Sequence, residues 1–310
     1  MPGSSEGSGS RPVSRRKVLG WGLGGLAAVI AAGAGGLELV AHSVLPGKTE
    51  LDRIDGACSV DVPAPTLAPL GAATSGQFFS AARGTTVGYT IAYPPGYRSG
   101  SPLPLILALH GYGGNHTNAL PGPLAQALAL QVGGTPLPPM AMVAADGGGG
   151  YWHAHPGDNP MAMLVEELIP RCQALGLGVP PAKIGAIGIS MGGYGALILA
   201  EQHPGLISAV AAISPAVWTT YAQARGANAG AFSSAGDFAA NNVVTHAPEL
   251  KGVPVRIASG RDDPFHPGVQ VLAAALGTRA IVEFPKGCHT GSFEASQEPQ
   301  SMAFLGSHLS

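Results

Sequence analysis

Residues 183–200 read KIGAIGISMGGYGALILA, and this segment gives the strongest indication of the fold. The apolar run 184–189 predicts a buried strand, and residues 193–200 predict a helix with small residues on one side. Between them, residues 188–192 form a G-x-S-x-G pentapeptide centred on Ser190. A sharp turn there would lift the serine hydroxyl above the sheet, with glycines allowing strand and helix to approach closely. Ser190 is therefore the candidate nucleophile, and the alternative is an ordinary glycine-rich turn.

Similar apolar runs alternate with helical patterns along the chain from about Gln77. Apolar and polar residues do not alternate within these runs, which is typical of strands buried on both faces. This order favours an α/β fold with a mostly parallel, doubly wound sheet and flanking helices. Residues 215–248 form a small insertion between two strands and are a candidate lid. The predicted strands are 87–93, 103–109, 140–145, 184–189, 210–213, 253–258 and 279–284, and the predicted helices include 121–131, 161–175 and 298–307.

Composition limits the classes of function. The chain has 310 residues and a net charge of −2, with 11% charged and 45% hydrophobic residues. It is long enough for one large α/β domain with an N-terminal extension. Beyond the N-terminus no Lys/Arg run occurs, so nucleic acid is not an expected partner.

The N-terminus has the pattern of an export signal. Residues 14–20 read SRRKVLG, which resembles a twin-arginine signal, and an apolar stretch covers 18–37. The alternative is a membrane anchor, since twenty residues can span a bilayer. We therefore expect a signal or anchor at 1–42, a Pro/Ala-rich linker at 43–76 and a catalytic domain at 77–310. The protein would be extracellular, in the cell envelope, or tethered through 18–37 and facing outward.

Three cysteines are present, Cys58, Cys172 and Cys288. An exported protein can hold a disulfide, and three cysteines leave one over. Pairing of Cys58 with Cys172 is preferred, because it would attach the N-terminal segment to the domain. Cys288 is then interpreted as a small buried residue.

A serine nucleophile needs a base within hydrogen-bond reach and an acid that orients the base. On a strand-turn-helix motif of this kind, acid and base should follow the serine in that order. Asp263 follows the predicted strand 253–258 and is favoured as the acid, because Pro264 fixes the loop after it. Asp262 is its rival. His289 follows the last predicted strand in a glycine-flanked loop and is the candidate base.

Acyl transfer also needs an oxyanion hole, and backbone N–H groups can form one without reorganisation. One candidate is the amide of Met191, directly after the nucleophile. The other is the amide of Tyr112, in the glycine-rich loop 110–114 after the strand 103–109.

The loop 146–158 contains four consecutive glycines followed by aromatic and histidine residues. Trp152, and Trp218 in the insertion, are candidates for a substrate pocket, with cover for the sheet edge as the alternative. His153 and His155 could be metal ligands, but the sequence places no third ligand. We therefore predict no metal site.

Taken together, these motifs resemble the bacterial putative esterase family within the α/β-hydrolases, which includes esterase D-like enzymes, feruloyl esterase-like domains and mycolyltransferases. The resemblance covers about 77–307. It implies a serine carboxylester hydrolase or acyltransferase that needs no cofactor. Residues 289–293, HTGSF, depart from the His-x-Trp pattern of the mycolyltransferases, which favours a simple esterase. The segments that carry the resemblance are 93–97, 109–114, 188–196, 260–264 and 287–289.

The first hypothesis is thus an exported serine carboxylesterase acting on a small-molecule or lipid ester. The second is an acyltransferase that passes the acyl group to a cell-envelope sugar or lipid. The third is a non-catalytic envelope binding protein on a hydrolase scaffold, and the presence of all three triad residues disfavours it. The oligomeric state is left open by the sequence.

Overall fold

The structure is a computed structural model that describes Gly56 and residues 58–309. The predicted signal or anchor at 1–42, with its tether segment 18–37, lies outside the described residues, as does the linker as far as residue 55. Every helix in the described part of the chain falls short of the length and hydropathy needed to span a bilayer.

An eight-stranded mixed sheet forms the centre of the domain, in the order β1-β2-β6-β3-β7-β8-β9-β10. Strand β2 is antiparallel to both β1 and β6, and the remaining neighbours are parallel. The predicted parallel α/β sheet is confirmed, with an antiparallel edge. Its strands are β1 (Ala73–Ser80), β2 (Thr85–Ala92), β3 (Leu105–Leu109), β6 (Ala141–Ala145), β7 (Ile184–Ile189), β8 (Ile207–Ile213), β9 (Val255–Ala258) and β10 (Ala280–Glu283), while β4 (Gln131–Val132) and β5 (Thr135–Pro136) form a separate hairpin.

Helices cover both faces of this sheet. The insertion between β8 and β9 carries two short helices, α5 and α6. The helices are α1 (Leu124–Leu128), α2 (Pro160–Ala162), which continues through a π-helical turn (Met163–Leu168) into α3 (Ile169–Ala174), α4 (Met191–Gln202), α5 (Tyr221–Ala227), α6 (Ala235–Ala240), α7 (His266–Leu276) and α8 (Gly291–Gly306), with short 3-10 turns at Ala247–Leu250 and Gly277–Arg279.

The central strands are buried on both faces, as their continuous apolar sequences require. Every residue of β3, β6 and β7 is buried. Successive side chains of a strand point to opposite faces. Accordingly, Leu105, Leu107 and Leu109 belong to one hydrophobic cluster, and Ile106 and Ala108 belong to the other. The carboxyl ends of these strands are thus held rigidly at one edge of the sheet.

Two boundaries differ most from the sequence prediction. The folded domain reaches back to Ala73, because β1 pairs with β2; only two of its eight residues are buried, so its pattern is weak. Helix α8 begins at Gly291 rather than near Glu298, because the Thr290 side chain accepts a hydrogen bond from Phe293 N–H and caps the helix. Pro299 lies inside this helix and does not mark its start.

The predicted disulfide is wrong. Cys58 pairs with Cys288, and Cys172 is free and buried. Cys172 lies in α3 and is 0% exposed, so it packs as a small core residue. The Cys58–Cys288 bridge instead attaches the segment around Cys58 to the loop that carries His289.

Candidate active site

Ser190 occupies a strained turn between β7 and α4, as the pentapeptide predicts. Its φ is 55° and its ψ is −118°, in a region that L-residues rarely adopt and that costs about 1–3 kcal/mol. A Cβ on Gly188 would lie 2.1 Å from the Gly192 carbonyl oxygen, and one on Gly192 would lie 1.9 Å from the Leu109 carbonyl oxygen. Only glycines allow this close approach of strand and helix.

The structure brings Ser190, His289 and Asp263 together in one hydrogen-bonded chain. His289 Nε2 lies 2.9 Å from Ser190 Oγ, and His289 Nδ1 lies 2.9 Å from Asp263 Oδ2. Asp263 Oδ1 accepts a further hydrogen bond from Phe265 N–H, which fixes the carboxylate. It is Asp263, not its neighbour Asp262, that contacts the histidine.

The surroundings of His289 favour a charged imidazolium once it has taken a proton. Burial lowers the pKa of His289, but the hydrogen bond and charge of Asp263 outweigh it, so the net pKa lies above the ordinary value. The negative charge of Glu294, in the first turn of α8, also raises the pKa of His289. Burial in turn raises the pKa of the Glu294 carboxyl, with an opposing contribution from His289.

A cavity of about 430 Å³ opens directly beside Ser190 and His289. Its wall is formed by residues 111–114 and 118–121 together with Ile189 and Glu294. None of its described lining residues belongs to the insertion that the sequence suggested as a lid. Tyr112 lines the cavity and is 67% exposed, so the cavity is open to solvent at this loop.

Two backbone amides are available near the serine. Met191 is the first residue of α4, and the first N–H groups of a helix have no partner inside it. The loop of Tyr112 abuts the turn, since a Cβ on Gly111 would lie 3.5 Å from Ser190 Cβ. Both predicted oxyanion donors therefore lie in segments next to the nucleophile.

His110 fixes the peptide that carries the Tyr112 amide. Gly147 N–H donates to His110 Nε2 at 2.9 Å, so the ring proton is on Nδ1, which donates to the Gly111 carbonyl at 2.8 Å. Because a trans peptide is planar, holding the Gly111 carbonyl toward His110 directs the Tyr112 N–H the opposite way. Burial lowers the pKa of His110, which keeps the ring neutral in this arrangement.

Neither predicted pocket tryptophan lines the cavity. Trp152 is 0% exposed, and its ring fills the space above Gly147 and Gly195, where added Cβ atoms would lie 2.3 and 2.5 Å from it. Its Nε1–H donates to the His110 carbonyl. Trp152 is thus a core residue beneath the site, because the left-handed backbone at Tyr151 and Trp152 turns the ring inward.

Trp218 contacts the site only indirectly. Its ring packs edge-on against Phe265 with 4.7 Å between ring centroids, and Phe265 packs against His289 at 5.0 Å. Trp218 therefore packs against Phe265, which in turn packs against His289, and Trp218 is not one of the residues that line the cavity described above.

Sequence reasoning missed three residues. The sequence indicates His110 only as part of a glycine-rich loop, and Glu294 lies before the predicted helix 298–307. Asp237, on α6, lies close to His153 and His155, although it is distant from them in sequence. A histidine that ends a buried strand was an available signal for His110, whereas Asp237 had no signal in the sequence.

Comparisons with known proteins agree with this geometry. The family model described as putative esterase matches residues 80–284. No curated protein sequence matches the chain. Among solved structures, a ferulic acid esterase is 17% identical with a TM-score of 0.64, and the match covers 77% of this chain and 99% of the esterase.

Two further solved structures share the fold. The S-formylglutathione hydrolase of Agrobacterium tumefaciens is 15% identical with a TM-score of 0.63, over 81% of this chain and all of that chain. MPT51 (FbpC1) of Mycobacterium tuberculosis is 19% identical with a TM-score of 0.58, over 77% of this chain and all of that chain. The chain therefore belongs to the putative esterase family, and it is an ester-hydrolysing enzyme with the α/β-hydrolase fold.

Proposed function

We propose that the protein is an exported serine carboxylesterase in which Ser190 is the nucleophile, His289 the general base and Asp263 the orienting acid. The observation that carries the proposal is the hydrogen-bonded chain from Ser190 Oγ through His289 to Asp263. A serine hydroxyl is a weak nucleophile by itself, and this chain supplies the base and the acid that it needs.

In the first step, Ser190 Oγ attacks the carbonyl carbon of the ester while His289 Nε2 takes the hydroxyl proton. The carbonyl oxygen becomes an oxyanion, which the N–H groups of Met191 and Tyr112 stabilise. Asp263 stabilises the imidazolium through the proton on Nδ1. The C–O bond to the alcohol then breaks, and His289 returns its proton to the departing alkoxide.

In the second step, water replaces the alcohol. His289 removes a proton from water, and the hydroxide attacks the acyl carbon on Ser190. The second oxyanion collapses, the carboxylic acid leaves, and the proton returns to Ser190 Oγ. No cofactor is needed in either step.

Two observations support the proposed export. The twin-arginine pattern at 14–20 precedes an apolar stretch, and the Cys58–Cys288 disulfide is of a kind that is rare in reducing compartments. A double variant with Arg15→Lys and Arg16→Lys should remain in the cytoplasm of a bacterial host. Unchanged export of this double variant would contradict a twin-arginine route.

The activity is tested with p-nitrophenyl esters from acetyl to palmitoyl. The Ser190→Ala protein should lose about 10⁶-fold in kcat. Ser292→Ala is the matched control, because Ser292 is exposed and near the site but outside the hydrogen-bonded chain, and it should keep full activity. Turnover that survives in Ser190→Ala would refute the assignment of the nucleophile.

The same assay separates hydrolysis from acyl transfer. With a sugar alcohol present, an esterase should release mainly free acid, whereas an acyltransferase should give mainly the new ester. A predominance of ester product would replace the proposed reaction with transfer to an alcohol and leave Ser190 as the nucleophile.

A further inference from the structure

Three potential metal ligands meet outside the candidate active site. His153 and His155 lie in the loop after β6, and Asp237 lies on α6 of the insertion. Each offers one ligand atom, and these atoms all lie within 4.8 Å of one another. The cluster joins two segments that are separated by more than seventy residues.

Each of the two histidines has its Nε2 next to a backbone carbonyl oxygen. His155 Nε2 lies 2.7 Å from the Gly150 carbonyl, and His153 Nε2 lies 2.8 Å from the Ala231 carbonyl. A carbonyl oxygen only accepts, so the proton of His155 is on Nε2 and its Nδ1 keeps a lone pair. In His153 the shorter of its two carbonyl contacts, at Nε2, favours the same tautomer. Metal-ligating histidines typically donate their other N–H to a backbone carbonyl in this way.

Oxygen atoms lie near both ring nitrogens of His153, so a positive charge at this position would be stabilised. Its Nδ1 lies 3.1 Å from the Ala154 carbonyl oxygen and 3.5 Å from Asp237 Oδ1. A neutral imidazole has one N–H, so one of its nitrogens must face oxygen with a lone pair. A bound cation at Nδ1 would remove this repulsion.

The carboxylate of Asp237 is also fixed in place. Its Oδ2 accepts hydrogen bonds from Ser233 N–H and Oγ–H, and its Oδ1 accepts one from Asn241 Nδ2. His155 and Asp237 are half-buried, whereas His153 is 1% exposed. An ion can therefore enter from the side of His155 and Asp237.

We propose that His153, His155 and Asp237 bind a divalent transition metal, preferentially Zn²⁺. Two imidazoles and a carboxylate are the nitrogen and oxygen ligands that zinc takes, whereas Ca²⁺ and Mg²⁺ prefer all-oxygen sites. The fourth position is left for water or the Ala154 carbonyl. The ion is structural, since it links the 147–158 loop to the insertion.

The first test is zinc binding by the whole protein after dialysis against a chelator. Titration calorimetry should give one Zn²⁺ per chain, and zinc at 100 times the Kd should raise the Tm by about 5–10 °C. Co²⁺ in place of zinc should give the visible absorption of a low-symmetry nitrogen and oxygen site. These readouts do not depend on ester hydrolysis.

Substitution then identifies the ligands. His155→Ala and Asp237→Asn are the main variants, because the buried His153 carries more of the packing. Each should weaken zinc affinity by at least about 100-fold, since even residues that only orient a ligand contribute 10- to 100-fold. The matched control is His308→Ala, which removes an exposed histidine near the C-terminus and should leave zinc affinity unchanged.

Two results would overturn the proposal. One is folded protein that binds no Zn²⁺ and shows no change in Tm. The other is zinc affinity that is equal in the wild type and in both variants, which would place the ion elsewhere.

Discussion

Replacing His110 by phenylalanine should slow the reaction without removing any residue of the Ser190–His289–Asp263 chain. Phenylalanine keeps the ring but cannot accept from Gly147 N–H or donate to the Gly111 carbonyl. The Gly111–Tyr112 peptide then loses one of the two hydrogen bonds to its carbonyl and keeps only the one from Gly114 N–H. The lost hydrogen bond contributes about 0.5–1.5 kcal/mol. Its loss therefore lowers the population of the favoured peptide orientation, relative to the alternatives, by up to about 10-fold.

The fall in kcat should lie between this factor and the loss of a whole oxyanion donor, which costs about 10²–10³-fold. KM for a p-nitrophenyl ester should change little, because the donor acts mainly on the transition state. The affinity for a boronic acid that mimics the tetrahedral intermediate should fall by the same factor as kcat.

The His110→Phe protein will also be less stable. The buried Gly147 N–H loses its acceptor, which costs about 1–3 kcal/mol. Assays must therefore run well below its Tm. His203→Phe serves as a control, because His203 lies at the far end of α4. If His110→Phe keeps wild-type kcat and inhibitor affinity while its Tm falls, His110 only stabilises the fold and the positioning argument is refuted.

Three further predictions follow from the same geometry. Asp263→Asn should lower kcat by about 10⁴-fold with KM nearly unchanged, because an amide no longer holds the productive tautomer of His289. The value of kcat/KM should rise with pH through an apparent pKa above the ordinary value for histidine, since the base must be neutral, and Glu294→Gln should move this limb to lower pH because it removes a negative charge that raises the pKa of His289. Cys58→Ser should lower unfolding free energy by about 2–5 kcal/mol, measured in urea, because the Cys58–Cys288 bridge closes a long loop; a reductant should destabilise the wild type and leave this variant unaffected.

The residues of the hydrogen-bonded chain were accessible from sequence because each follows a recognisable strand. Ser190 comes directly after β7, Asp263 comes after β9, and His289 comes after β10. Carboxyl ends of parallel strands meet at one edge of a sheet, so chain order alone brings such residues together. The same logic placed the glycine-rich loop after β3 beside Ser190.

What could not be predicted depends on contacts that chain order does not determine. An aromatic residue after four glycines could face either solvent or core, and the choice for Trp152 depends on the space above Gly147 and Gly195. Asp237 reaches His153 only because the insertion folds back over the loop after β6. Pairing of cysteines is likewise a matter of three-dimensional distance, which spacing in the sequence does not reveal.

Each member of the hydrogen-bonded chain is held by a different physical device. Ser190 is held by the glycines that let strand and helix touch, and Asp263 by burial and the Phe265 N–H. His289 directly follows Cys288, which is cross-linked to Cys58, 230 residues earlier in the sequence. The histidine is thus the member whose position depends on the segment before the domain. Loss of that bridge should therefore disturb the His289 hydrogen bonds before it disturbs the turn at Ser190.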